Sequence, residues 1–406
     1  MKRKSFFLLL LFILFFSYGL ILNFQNVQII PQKLHPPSPH LQDFFDYTGV
    51  IHIHSNRSSG SGTIKQIISV AQEAGLDFII LTDLNAMDVP YPEEGYHDNL
   101  LVFTGGEYSY LDSHLLNLFI KNPSHLKGPG RSQAFFADLL DKKNKPKDAG
   151  LLILAHPFLP GFQWTGPYPP GLDGIEVINL KSIWQDTWLH SKLSFFWTLF
   201  VYPFNPRLAF LRMIEGAGQK GFQLLDQLQK KHPLIAIGGA DADAKIRGLF
   251  GGSIRFPSYS MLFNIVRQHV LLKSELTGQW EKDQQKISSA IEKGQFFISF
   301  DILANAKGFS AYIHNNNQKW LMGSRLPWSK SLRLKVSLPE KPLCPFEIVL
   351  YKDGQRVTHS TQKEVEFPLK YGRGAYRIYV RVIPTLPFPD GRKWLPWIFT
   401  NSFYLY

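Results

Sequence analysis

Three rhythms of apolar and polar positions divide this chain. In the first there is no alternation at all. From Phe6 to Leu22 the run is apolar except around Ser17, Tyr18 and Gly19, and Lys2, Arg3 and Lys4 stand before it. A stretch with no polar face predicts a helix that crosses a bilayer rather than one that packs on a core. The basic end is expected to stay cytoplasmic, which sends the rest of the chain outward. Ser17-Tyr18-Gly19 also offers a small-x-small cleavage signal, so a secreted, processed protein is the alternative. The apolar run continues through Leu20, Ile21 and Leu22, which favours an uncleaved anchor over residues 1–24. Residues 25–44 read as a linker, with four prolines in PQKLHPPSPH (Pro31 to His40) marking an extended spacer that holds the next domain off the bilayer.

The second rhythm fills residues 45–300. Short apolar runs end in polar residues and are separated by amphipathic segments. GVIHIH, DFIILTD, NLLVFTGGE, HLLNLFI, GLLILAHP, GIEVIN and PLIAIGGAD each read as a buried strand. GTIKQIISVAQEAG reads as a helix from Thr63, with Ile64, Ile67, Ile68 and Ala71 on one face and Gly75 as its stop. Buried strands alternating with helices predict an α/β barrel, whose sites gather at the C-terminal ends of the strands. The aromatic stretch from Ile183 to Phe210 interrupts the pattern. It reads as an insert packed on the membrane, as a lining of the cleft, or as a buried helical hairpin. Pro203 and Pro206 break it too often for a span.

The third rhythm, strict alternation, occupies residues 301–406. SLRLKVSLP, PFEIVLYKDGQRVTHST, EVEFPL, GAYRIYVRVIP and WIFTNSFYLY predict a small all-β antiparallel sandwich domain. No catalytic grouping is evident in it.

Composition refines this picture. At 406 residues the chain exceeds one ordinary core. The net charge of +12 suits anionic surroundings such as phosphorylated substrates or lipid headgroups. The basic residues are scattered, so a dedicated nucleic-acid groove is not indicated. A single cysteine, Cys344, excludes an internal disulfide framework and lies far from the N-terminus, where a lipid anchor would need one.

The strand ends carry the candidate chemistry. His52 and His54 are two residues apart, a spacing that puts both imidazoles on one face of a strand. Asp83, Glu107, His156, Asp241 and Asp243 end other strands, and His114 opens one. Alone, each reads as a cap, a core histidine or a surface acid. Together they form a donor set for hard or borderline divalent metals, and a barrel would bring them onto one rim.

In this order the motifs resemble the polymerase and histidinol phosphatase (PHP) superfamily of metal-dependent phosphoesterases. The matching pieces are HIHS (His52–Ser55), LTDLN (Leu81–Asn85), GGE (Gly105–Glu107), HLL (His114–Leu116), AHP (Ala155–Pro157) and GGADAD (Gly238–Asp243). The resemblance implies a distorted (β/α)7 barrel and a phosphoric ester hydrolase. It implies His52 and His54 as ligands, Glu107 as a bridging carboxylate, His114 and His156 as further ligands, and Asp241 as a late ligand. Asp83 matches the aspartate of the family's TDH motif, within the metal set, where it orients or supports a ligand.

This chain departs from the family pattern at Leu84, Asp243 and Ser59, where histidine, histidine and aspartate are expected. The resemblance assigns all three positions to a third ion. The expectation is therefore two ions of manganese, zinc or iron. One is held by His52, His54, Glu107 and Asp241, the other by Glu107, His114 and His156, while Asp243 could retain a labile third. Glu107, Asp241 and Arg247 are the expected catalytic residues. Arg57, Lys245 and Arg247 are the expected cations for a substrate phosphate. Glu176 approaches the rim or is a buried, hydrogen-bonded acid. The expected substrate is a small-molecule or envelope phosphoester met outside the cytoplasm. The alternative is a noncatalytic binding or scaffold protein on a degenerate barrel.

Overall fold

The computed structural model of the chain describes residues 2–31, 40–41, 44–86, 88–120, 131–141, 149–247, 253–315 and 318–406. Its helices in chain order are α1 (Lys2–Asn23), α2 (Ile64–Glu73), α3 (Arg131–Asp141), α4 (Leu180–His190), α5 (Lys192–Val201), α6 (Pro206–Met213) and α7 (Gln219–Leu228), with two more beyond them. The strands that position the site are β1 (Phe44–Ile53), β2 (Phe78–Leu81), β3 (Leu100–Thr104), β4 (Gly106–Tyr110), β5 (Ser113–Leu118), β6 (Leu151–Leu154), β7 (Gly174–Asn179) and β8 (Ile235–Ala242).

The architecture is mixed α/β around one large sheet. β1 pairs in parallel with β2 on one side and β8 on the other. β2 pairs in parallel with β3, β8 with β7, and β7 with β6. Antiparallel pairs then join β6 to β5 and β5 to β4. A bridge between Leu84 and Glu107 brings β4 back beside the end of β2. The C-terminal ends of β1, β2, β6, β7 and β8 thus face one region, together with the start of β4.

These strands form because they are apolar on both faces. In β2, β3, β6, β7 and β8 every residue is buried, which a sheet covered on both sides requires. α2 starts at Thr63 through a reciprocal capping box with Gln66, buries Ile64, Ile67, Ile68 and Ala71, and stops at Gly75 with φ +66°.

α1 is long and apolar enough to cross a membrane, a property it shares with signal sequences. The segment after it does not behave as the spacer expected from residue 25. Val27 and Ile29 are buried, and the Leu343 N–H donates to the Ile29 carbonyl at 2.8 Å. Both side chains join the apolar core. Residues 32–39 of the proline-rich stretch lie outside the described residues.

From Ser310 onward the strands are largely antiparallel and are divided among the large sheet, a four-stranded sheet and a two-stranded one. Hydrogen bonding nonetheless runs straight through the expected boundary near residue 301. β9 (Arg267–Leu272) pairs with β1, β10 (Phe296–Ser299) pairs with β9, and β11 (Leu395–Thr400) pairs with β10.

One buried charge sits at this junction. His269 on β9 is fully enclosed, with Nδ1 2.9 Å from Asp46 and Nε2 3.4 Å from Asp301. Carboxylates only accept, so both ring nitrogens donate and the imidazolium is the favoured form. Burial opposes that charge, but Asp46 and then Asp301 outweigh it and raise the pKa to about 9. A pKa raised on folding stabilises fully below the unfolded value and is lost as pH climbs through the folded one. Stability is therefore expected to fall between pH ~6.5 and ~9 by on the order of 3 kcal/mol. Thermal unfolding across that range reads the fall, and His269→Gln should flatten it.

Candidate metal centre

The site begins with a break in β1. Strand alternation alone would aim His52 and His54 the same way. In the structure His52 has φ +67°, and the pairing of β1 with β2 slips between Ile51 and Ile53. The two rings converge with centroids 5.1 Å apart, through a left-handed residue rather than through a regular pleat. His156 (φ +24°) and Asp241 (φ +43°) share this backbone region. Such conformations cost about 1–3 kcal/mol each and persist where the surroundings hold a side chain in a required direction.

Glu107, at the start of β4, is where the side chains meet. His114 Nδ1 and His156 Nε2 both lie 2.8 Å from Glu107 Oε1. His52 Nε2 is 3.6 Å from the same oxygen, and His54 Nε2 is 3.4 Å from Oε2. Asp241 Oδ1 is 3.5 Å from His54 Nε2 and 3.9 Å from His52 Nε2. All of these residues are buried except His114, which is partly exposed. Three overlapping groups of donor atoms result: His52, His54 and Glu107; Glu107, His114 and His156; and His54, Asp241 and Asp243.

The electrostatics favour positive charge at this spot. Burial disfavours an ionised Glu107, yet His52, followed by His114 and His156, holds its carboxyl well below the usual range. Burial likewise disfavours a charged His52, yet Glu176, then Asp241 and Glu107, raise its pKa well above that of a free imidazole. His52 Nε2 is buried, aimed into the cluster, and has no hydrogen-bond partner. An orphaned imidazole nitrogen among carboxylates is the donor set that a divalent cation satisfies.

The supporting groups are as definite as the donors. Glu176, midway along β7, accepts from His52 Nδ1 (2.7 Å), from the His156 N–H (2.6 Å) and from Asn179 Nδ2 (3.0 Å). Of the two sequence readings, it is the buried, hydrogen-bonded acid. It fixes the His52 tautomer that leaves Nε2 pointing inward. Gly239 makes room for it, since a Cβ there would lie 1.5 Å from Glu176 Oε1. Asp83 stands apart from the three groups. It accepts from the Ser55 N–H (2.6 Å), Ser55 Oγ (2.7 Å) and Ser58 Oγ (2.5 Å), so it shapes the loop after His54.

The expected cations are distributed differently from the sequence reading. Arg57 turns away, lying 3.2 Å from Glu93, 3.8 Å from Asp88 and over the Tyr91 ring. Lys245 is exposed, and the Arg247 side chain lies outside the described residues. The cation at the centre is Lys181, in the first turn of α4. Its Nζ is 2.8 Å from Asp243 Oδ2 and 3.6 Å from Asp241 Oδ1. Asp241 first, with help from Asp243 and against burial, keeps the ammonium protonated beyond the ordinary lysine range. Asp243 also accepts from Ser59 Oγ. Asn179 donates to Asp241 Oδ2 at 3.1 Å. Asn179 ends GIEVIN and Lys181 stands two residues beyond it, so the strand-end rule applied to that strand would have found them.

Beside the centre a cavity of about 230 Å³ is lined by His156, Glu176 and Asn179 at one end and by Asp186, Thr187 and Met213 along α4 and α6.

No family model matches the chain, and no curated protein matches it in sequence. Among solved structures it is similar to a two-domain protein from Bacteroides vulgatus containing a predicted PHP-like metal-dependent phosphoesterase, at 15% identity and a TM-score of 0.40, covering 90% of this chain and 99% of that one. It is also similar to a candidate metal-dependent phosphoesterase from Bifidobacterium adolescentis, at 14% identity and a TM-score of 0.28, covering 48% of this chain and 87% of that one.

Glu176→Gln keeps the size of the side chain and removes its charge. Affinity for divalent metal, measured by chelator competition, is expected to fall about 10- to 100-fold. An unchanged affinity would show that Glu176 does not orient His52.

Proposed function

We propose that this centre binds divalent metal ions, manganese, zinc or iron, and that the protein hydrolyses phosphate esters. The observation that carries the reading is Glu107, whose two carboxylate oxygens lie within 3.6 Å of four imidazoles from three strand ends. Glu107 belongs to two donor groups at once, which supports two ions sharing one carboxylate. His52, His54, Glu107 and Asp241 would hold one ion, and Glu107, His114 and His156 the other. When bound, such ions supply Lewis acidity toward a phosphoryl oxygen and lower the pKa of a water.

The chain's own groups do the rest. Lys181 puts a fixed positive charge among Asp241 and Asp243, where the third donor group lies. We read it as the cation that meets the negative charge of the substrate, in place of Arg57. Its two carboxylate partners hold the ammonium at the centre. Asp243, engaged by Lys181 and Ser59, is then a partner of the lysine rather than a ligand. The sheet order that returns from Glu107 to Leu84 supports the finer fold reading, a distorted seven-stranded barrel. The orientation of α1, with this centre outside the cytoplasm, and the division into an anchor, a barrel over 45–300 and a β-rich domain over 301–406 belong to the same proposal.

The competing reading is a noncatalytic binding protein, and the occupation of the third donor group by Lys181 is what favours it. Purification of the full chain in detergent, elemental analysis and assay on a phosphoester panel separate the two. Two ions per chain, turnover abolished by chelator, and loss of one ion together with turnover in His156→Ala are expected. Lys181→Met should retain both ions and lose about 100-fold in kcat/KM. A folded, metal-free protein without turnover would assign the chain to the binding class.

A further inference from the structure

α1 does not hang free of the body. Its last turns are packed against the insert formed by α4, α5 and α6. Phe15 meets Phe200 with ring centroids 3.6 Å apart, Phe16 meets Phe204 at 5.6 Å, and Tyr18 meets Trp197 at 5.7 Å. A Cβ on Gly19 would strike the Phe204 ring at 2.5 Å, so glycine permits this approach. Asn205 Nδ2, at the start of α6, donates to the carbonyls of Leu22 and Gln25 at 3.0 Å each, satisfying the end of the helix.

Length then decides where the insert sits. The apolar run from Phe6 to Leu22 is about 25 Å long as a helix, barely enough for a hydrocarbon core of about 30 Å. Phe15 and Phe16 stand roughly 11 Å before the helix end. Whatever packs on them is therefore at bilayer depth once α1 spans. The surface continuous with that contact is apolar and uncovered: Trp188, Leu189, Leu193 and Phe196 are 41%, 50%, 88% and 56% exposed. Trp188 packs on Phe196 at 5.9 Å, and Lys192 lies over the Trp188 ring, a mixture of aromatic and cation that suits a headgroup region. A third segment joins them, since Phe388 is 80% exposed and its carbonyl accepts from the Tyr18 hydroxyl.

The same insert reaches the metal centre. α4 carries Lys181 in its first turn and Trp188 in its last, about 10 Å apart along the axis. The cavity beside His156 follows one side of α4 from Asn179 to Thr187, while Trp188 stands on the other side of the same helix.

We propose that the face of α4 and α5 around Trp188, Leu193 and Phe196 is seated in the bilayer surface beside α1, and that the substrate is a phosphate ester carried on a membrane lipid. The lipid's phosphate would travel one short helix from the headgroup plane to Lys181 and the donor cluster. The substrate half of this proposal rests on the phosphoesterase reading above; the docking half does not.

The test uses the full chain reconstituted in phosphatidylcholine vesicles. Phosphate release is compared for phosphatidic acid in the bilayer and for glycerol 3-phosphate, the same ester without acyl chains. Quenching of tryptophan fluorescence by brominated phosphatidylcholine is read in parallel, with Trp188→Phe isolating the Trp188 signal. The lipid substrate is expected to be preferred. In Leu193→Glu/Phe196→Glu its turnover should fall about tenfold or more while glycerol 3-phosphate turnover stays unchanged, and Trp188 quenching should drop. Equal turnover of both substrates overturns the lipid substrate class. Absent quenching at Trp188 overturns the docking face, as does a dimer in detergent that Leu193→Glu dissolves, which would give the face to a second copy. Quenching with release from neither ester overturns the phosphoesterase reading and its substrate while leaving the face in place.

Discussion

A carboxylate buried among imidazoles is costly on its own and cheap only in company, and Glu107 is the residue that imposes this condition. Taking an isolated carboxylate out of water is prohibitive unless opposite charge or hydrogen bonds replace the lost solvation. Glu107 recovers that loss from residues delivered by β1, β5 and the end of β6. Each histidine must therefore arrive at a strand end, and the strands must be in register for it to do so. The left-handed backbone at His52, His156 and Asp241 is where the sheet yields to this demand.

The condition propagates outward. Glu176 is itself a buried acid, and it is tolerable because His52, the His156 backbone and Asn179 surround it. Gly239 on the neighbouring strand has no side chain, and that space is what admits the carboxylate. Asp83, just past the end of β2, gives its oxygens to Ser55 and Ser58 and so sets the course of the loop that leaves His54. Three acids thus divide the labour: one among the donors, one behind a histidine, and one behind a loop. The residue type is the same or similar in each case, and only the neighbours assign the role.

That division explains what the sequence could and could not disclose. Strands such as FIIL and LLIL were legible because burial on both faces leaves a plain apolar run. The helix at Thr63 was legible because its cap, its apolar stripe and its stop are all local. The histidines and acids at strand ends were legible as a set, since parallel neighbouring strands carry their ends to one edge of the sheet whatever the spacing in sequence. Lys181 was not, because a lysine in the first turn of a helix looks like an ordinary surface charge until Asp241 and Asp243, sixty residues on, are folded against it. Arg57 is the complementary case: it is next to the His52–His54 motif in sequence, while the structure sets it against Glu93 and Tyr91, distant in sequence. The docking of Val27 and Ile29 was hidden by the prolines that follow them.

The pairing of β11 with β10 has a bearing on how the chain reaches its native state. β9 borders β1, β10 borders β9, and the strand that covers β10 comes almost a hundred residues later. Until residues 395–400 arrive, β10 presents an open row of amide and carbonyl groups, the kind of edge that recruits foreign strands. Contacts so remote in sequence also form slowly, because a long loop must close before they give any return. Maturation of the donor cluster on β1 is in this way tied to the far end of the chain. A ribosome stalled in the β-rich region would leave a nascent polypeptide whose site strands are present but whose flank is unsealed, a natural target for chaperones and proteases.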